Sequence, residues 1–159
     1  MTGERPGPAV LDVSALLAEL VDLYDALAEE HGIGFHADID PGVTILGDRN
    51  LIALAVSNLF ENALKFTPSG GQVSVSLTQG GARHTLTVAD TGPGLPPEFA
   101  EQAFDRFARA PRDLGVPGHG LGLALVQAVA LRHGANLLLP DSEKGFVIKI
   151  GWPSVRADL

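Results

Sequence analysis

Asn58, Asn62 and Lys65 stand at i, i+4 and i+7 in the run "DRNLIALAVSNLFENALKFTP". At about 100° per residue they share one stripe of a helix, which Leu51 and Ala55 continue. Two amides and an ammonium on an apolar face need partners, because burying them unpaired costs several kcal/mol in the worst case. In one reading they hydrogen-bond within the fold or line an exposed groove. In the other they form a site for a metal–phosphate group. An amide carbonyl is a hard oxygen suited to Mg²⁺, which takes a few protein oxygens besides phosphates, and the lysine adds charge. Glu61 points toward the same side but off the stripe, and reads equally well as a solvated helix acid.

Three further stretches carry unusual chemistry. "DTGPGLPP" follows the alternating run "HTLTVA" and leaves it through an acid, two glycines and three prolines. It is an Asp–Gly turn, or a place where bare backbone lets a ligand approach. In the second case Asp90 at a strand end accepts from an exocyclic amine, and Leu95 packs on a flat ring. "GVPGHGLGLALV" brings glycines into the start of an apolar helix. That is either tight packing or an anion site, where free N–H groups and the helix dipole favour negative charge. Between them, "AFDRFARAPRD" sets Phe104 and Phe107 on one edge and concentrates Arg106, Arg109 and Arg112 in an otherwise acidic protein. It reads as a solvated surface helix, or as a hinged lid with an arginine reaching phosphate.

The elements that must position these groups follow from periodicity and breakers. A short extended piece at "LDV" precedes a helix capped by Ser14, with apolar Leu16, Leu17, Leu20, Leu23, Tyr24 and Leu27, ended by Gly32. "FHADID" and "VTIL" read as strands separated by "PG". Asp48 caps the second helix, from about Arg49 to Phe66. "QVSVSLTQ" and "RHTLTVAD" form an antiparallel hairpin. A long irregular segment follows, with "PEFAEQAFDRFAR" as a short helix. "GLGLALVQAVALRHG" is a third helix, and "NLLL" with "GFVIKIGW" forms a last hairpin. This order predicts an α/β fold, a mixed sheet covered on one face by helices.

Bulk properties bound the rest. The chain has 159 residues, 45% of them hydrophobic, which suits one domain with a sizeable core. It has no cysteine, so neither disulfides nor thiolate metal sites are available. A net charge of −8 and a pI near 4.9 argue against broad binding to nucleic acid or anionic membranes. The N-terminus lacks the pattern of a signal peptide, and the longest apolar-rich stretch is too short to span a bilayer, which takes about 20 residues. A soluble domain without membrane insertion is expected, with residues 1–10 a flexible tail or cut linker and 156–159 a second tail.

Taken in order, "NLFENALKFTP", "DTGPGLPPE", "FDRFAR" and "GHGLGLALV" resemble the N, G1, F and G2 boxes of the sensor histidine kinase ATP-binding domain, of the GHKL superfamily. The resemblance runs from about Leu11 to Pro153. It implies the Bergerat fold: a two-layer α/β sandwich, a mixed sheet of about five strands covered by about three helices, over residues 11–155, with an ATP lid at about 96–118. It implies ATP and Mg²⁺. Asn62 matches the Mg²⁺ ligand. Lys65 and Arg109 match phosphate contacts, and Phe66 the aromatic beside the nucleotide. Asp90, with Gly92, Gly94 and Leu95, matches the adenine pocket. Gly118, Gly120 and Leu121 match the phosphate-binding start of the third helix, where His119 is variable. Asn58 falls where related ATPases carry a glutamate that activates water. An amide cannot be that base, so transfer to a partner should exceed hydrolysis. Asn58, Lys65 and Arg109 are then the catalytic set.

The sequence also departs from the pattern. Ala108 replaces the lid tyrosine, which loosens the lid. Phe146 and Val147 stand where threonines are usual, beside the retained Gly145. None of His31, His36, His84, His119 and His133 has the context of a phosphoacceptor, so each is expected to be structural or at the surface. The partner implied is a histidine-bearing dimerisation domain, with a response regulator downstream, in the cytoplasm. The isolated chain is expected to be a monomer. Competing readings are a free-standing anti-sigma-factor-type serine kinase, and an ATP-binding regulatory module without transferase activity.

Overall fold

The computed structural model describes residues 9–92, 119–140 and 145–155. Strand β1 (Ala9–Asp12) leads into α1 (Val13–Glu30), and β2 (Gly34–Ile39) and β3 (Thr44–Gly47) precede α2 (Arg49–Phe66). The hairpin β4 (Gln72–Thr78) and β5 (Arg83–Asp90) comes next. After it come α3 (His119–Arg132), β6 (Asn136–Leu138) and β7 (Val147–Pro153). Five strands form one mixed sheet in the order β2-β4-β5-β7-β6. β1 and β3 form a separate antiparallel pair.

β2 and β4 run parallel, and every other neighbouring pair in the large sheet is antiparallel. Parallel neighbours need a crossover, and α2 lies in the connection between these two. The register aligns one buried row across three strands: Val75, Val88 and Ile148, then Leu77, Leu86 and Ile150, with His84 opposite Trp152. These side chains meet α1, α2 and α3 in one core. The alternate positions Ser74, Ser76, Thr85, Thr87 and Lys149 are exposed or half-buried, so the opposite face carries no helix layer among the described residues. The two-layer α/β architecture expected above is the one observed.

Three local readings change. The strand starts at Ala9, inside the stretch read as a tail. Asp12, not Ser14, caps α1: its carboxylate accepts from the Ala15 N–H at 3.0 Å. Ser14 is buried, and its hydroxyl donates to the Asp40 carbonyl at 2.6 Å while accepting from the Val43 N–H at 2.9 Å. It therefore ties the start of α1 to the β2–β3 turn. Leu23 and Leu27, counted in the apolar repeat of α1, are 57% and 37% exposed. Asp48 caps α2 as expected, accepting from Asn50 and Leu51 N–H at 3.0 and 3.2 Å.

Candidate functional site

The two-residue period of β5 delivers Asp90. His84, Leu86, Val88 and Asp90 all face the helices, so the last inward position of the strand is a carboxylate, 9% exposed. Its Oδ1 accepts from the Gly92 N–H at 2.8 Å and the Phe146 N–H at 3.3 Å. Burial raises the Asp90 carboxyl above the usual aspartate range, while these two backbone donors pull the other way. No described residue donates to Oδ2. The second donor is the backbone of Phe146, just before β7, so the absence of a threonine side chain there does not remove it.

Bare backbone brings the elements together. Gly145 has φ +75°, and a methyl there would fall on the Asp90 carbonyl and crowd Thr91. A methyl on Gly92 would collide with the carbonyl of Phe66 and touch Asp90 Oδ1 at 3.1 Å. The C-terminal end of α2 therefore lies directly against the turn after β5. Thr91 fixes that turn from the other side: its Oγ1 accepts from the Gln72 N–H at 3.0 Å, and its N–H donates to the Gln72 carbonyl at 3.1 Å.

α2 carries the amide stripe to this junction. Its buried face is Ile52, Ala55, Val56, Leu59, Phe60 and Ala63. Asn58 and Asn62 are half-buried beside it, and Lys65 is exposed in the last turn. The Asn62 Nδ2 and the Thr67 Oγ1 are buried without a hydrogen-bond partner among the described residues. The oxygen of the half-buried Asn62 amide is of the hard type that suits a Mg²⁺ site drawing most of its ligands from phosphates and water. No cluster of three or more acidic or histidine side chains able to hold a metal occurs among the described residues.

The structure thus brings Phe66, Asp90 and Gly92 together at one end of the sheet, with Lys65, Asn62 and Asn58 preceding Phe66 along α2. Gly94, Leu95, Arg109, Gly118 and the expected lid lie outside the described residues. His119, Gly120 and Leu121 open α3, and only their backbone is described. His84 is buried and its Nδ1 accepts from the Gly80 N–H at 3.1 Å. His133 donates from Nδ1 to the Val129 carbonyl at 2.7 Å and accepts at Nε2 from the Asp48 N–H at 3.1 Å, so both histidines serve the fold. Sequence reading missed the backbone role of Phe146 and the orphaned Thr67. It also missed the contact between Tyr24 on α1 and Glu61 on α2, at 2.9 Å. Only the kept Gly145 pointed toward any of them.

Residues 47–156 match the family described as "Histidine kinase-, DNA gyrase B-, and HSP90-like ATPase". The chain belongs to that family. Among its relatives, the signal transduction histidine-protein kinase/phosphatase MprB of Mycolicibacterium vanbaalenii is 38% identical over 148 residues, covering 91% of this chain and 30% of that protein. The chain therefore spans under a third of the length of such a curated relative. A solved mycobacterial sensor histidine kinase MprB is 31% identical with a TM-score of 0.81, over 92% of this chain and 98% of that one. Full-length ShkA, solved in complex with AMPPNP, is 28% identical with a TM-score of 0.79, over 99% of this chain and 34% of that one. This histidine kinase-like chain is accordingly an ATP-binding catalytic domain of the two-component sensor type. No helix among the described residues is long and apolar enough to cross a membrane.

Proposed function

We propose that this domain binds Mg-ATP and presents its γ-phosphate to a histidine on a separate dimerisation domain. The observation that carries the reading is Asp90: a buried carboxylate with one oxygen held by two backbone N–H groups, at the strand end whose turn abuts the C-terminal end of α2. Oδ2 of Asp90 accepts from the amine of adenine. Guanine would set a carbonyl against it, so the site favours ATP. Lys65 offers its ammonium to the phosphates, and Asn62 would hold Mg²⁺ through its amide oxygen. When bound, Mg²⁺ neutralises charge shared among the phosphates and makes the γ-phosphorus easier to attack. Asn58 can position a phosphate or a water by hydrogen bonding, but it cannot take a proton from water. The domain therefore holds ATP with little hydrolysis until a partner imidazole arrives, and the catalysis it supplies is placement and charge compensation. The Arg109 lid contact belongs to the same proposal, as do a cytoplasmic setting and a downstream response regulator.

Incubation with γ-labelled ATP tests this. Alone, the domain should release phosphate very slowly and acquire no label. With a matching histidine-bearing dimerisation domain, an acid-labile, base-stable label should appear on that partner, and Asn62→Ala should abolish it. Label on this chain alone, or rapid phosphate release without the partner, overturns the proposal.

A further inference from the structure

Glu61 and Lys65 stand at i and i+4 on α2 with the glutamate first, the order that best favours an ion pair on a helix surface. Both side chains are exposed, yet they form no such pair. Among the described residues the ion pair present joins Arg49 to Glu19 at 3.2 Å. Glu61 turns instead toward α1, where its Oε2 accepts from the Tyr24 hydroxyl at 2.9 Å. Tyr24 is 5% exposed and packs edge-on against Phe60 at 5.6 Å between ring centres, so its hydroxyl is a fixed point. Burial, and then the hydrogen bond to Glu61, raise its pKa, which keeps it a donor across the neutral range.

We propose that Tyr24 is a positioning residue that holds the Glu61 carboxylate away from Lys65 and so leaves the Lys65 ammonium to the nucleotide phosphates. This rests on the phosphate role given to Lys65 above. The competition is concrete: on the helix, Glu61 lies about 40° from Lys65, within easy reach of its ammonium. Without the phenol it is the nearest anion to Lys65 on α2, and ATP would have to displace it.

The test is ATP affinity by calorimetry in Mg²⁺ buffer at low ionic strength. Tyr24→Phe keeps the ring on Phe60 and removes only the donor. It should raise Kd about 1.5- to twofold, the scale of one helix-surface ion pair. Adding Glu61→Gln to Tyr24→Phe should return Kd to the wild-type value, and Glu61→Gln alone should leave it at or slightly below wild type. High salt should erase the Tyr24→Phe effect, because an exposed pair is screened. An unchanged Kd in Tyr24→Phe overturns the proposal, as does a rise that Glu61→Gln does not reverse, which would signify lost packing. Lys65→Ala with wild-type affinity would overturn the phosphate reading of Lys65 itself, and the positioning role with it.

Discussion

The Asp90 carboxyl takes its properties from a single geometric fact, that an inward strand position has been given to an acid. Its pKa is raised by burial, so the folded state holds the proton more tightly than the unfolded chain does. The stability this contributes is present in acid and is lost as pH rises through the folded pKa. Asp90→Asn carries no charge at any pH, so its melting temperature relative to wild type should climb as pH rises from acid to neutral. Its binding should move the opposite way. The carbonyl of the new amide would take over the Gly92 and Phe146 N–H groups, which places its NH₂ where Oδ2 had faced adenine. A donor then meets a donor, and ATP affinity should fall by about 1–3 kcal/mol, with a reduced preference for ATP over GTP. Thermal melts across pH and parallel titrations with the two nucleotides check both halves. A uniform loss of stability at every pH would contradict the burial argument.

Helix α2 separates two tasks along its length, with the cap at one end and the site at the other. Eighteen residues span about 27 Å, so Asp48 and Lys65 are far apart. Asp48→Ala should cost about 1 kcal/mol of stability, read from urea unfolding, and leave ATP affinity unchanged. This helix was legible in the sequence because its signals are local: an aspartate before it, Thr-Pro after it, and a stripe of polar groups at helical spacing. The β4–β5 hairpin and the last hairpin were legible for the same reason, since alternation and glycine turns act over a few residues. α1 was misread at its start because a serine and an aspartate both suit a cap. The choice fell to Asp12 once Ser14 was needed by Asp40 and Val43, more than 25 residues away. The same limit hid the β1–β3 pair, the parallel match of β2 with β4, and the exposure of Leu23 and Leu27. Of the proposed site, Asp90 and Asn62 were visible through their motifs. The Tyr24–Glu61 contact joins two helices across 37 positions, and nothing in either local stretch marks it.

At the scale of the molecule, the large sheet is closed by β7, which lies between β5 and β6. Its Ile148, Ile150 and Trp152 are each about 1% exposed, and its register reaches back from Pro153 to Arg83. A chain cut after residue 144 therefore lacks a central strand, three core side chains and the Phe146 donor to Asp90. It should show no cooperative thermal transition and should bind a hydrophobic dye. A sharp transition from that fragment would mean the core closes without β7. Pairing so distant also fixes an order of events during synthesis. At roughly 5–20 residues per second, a ribosome takes about 3–11 seconds to pass from the end of β5 to the start of β7. Through that interval β5 is a bare strand edge, a template for pairing with the wrong neighbour. Asp90 meanwhile has neither its second donor nor its burial. The nucleotide pocket is thus among the last features of the nascent chain to exist, and ATP cannot help fold what precedes it.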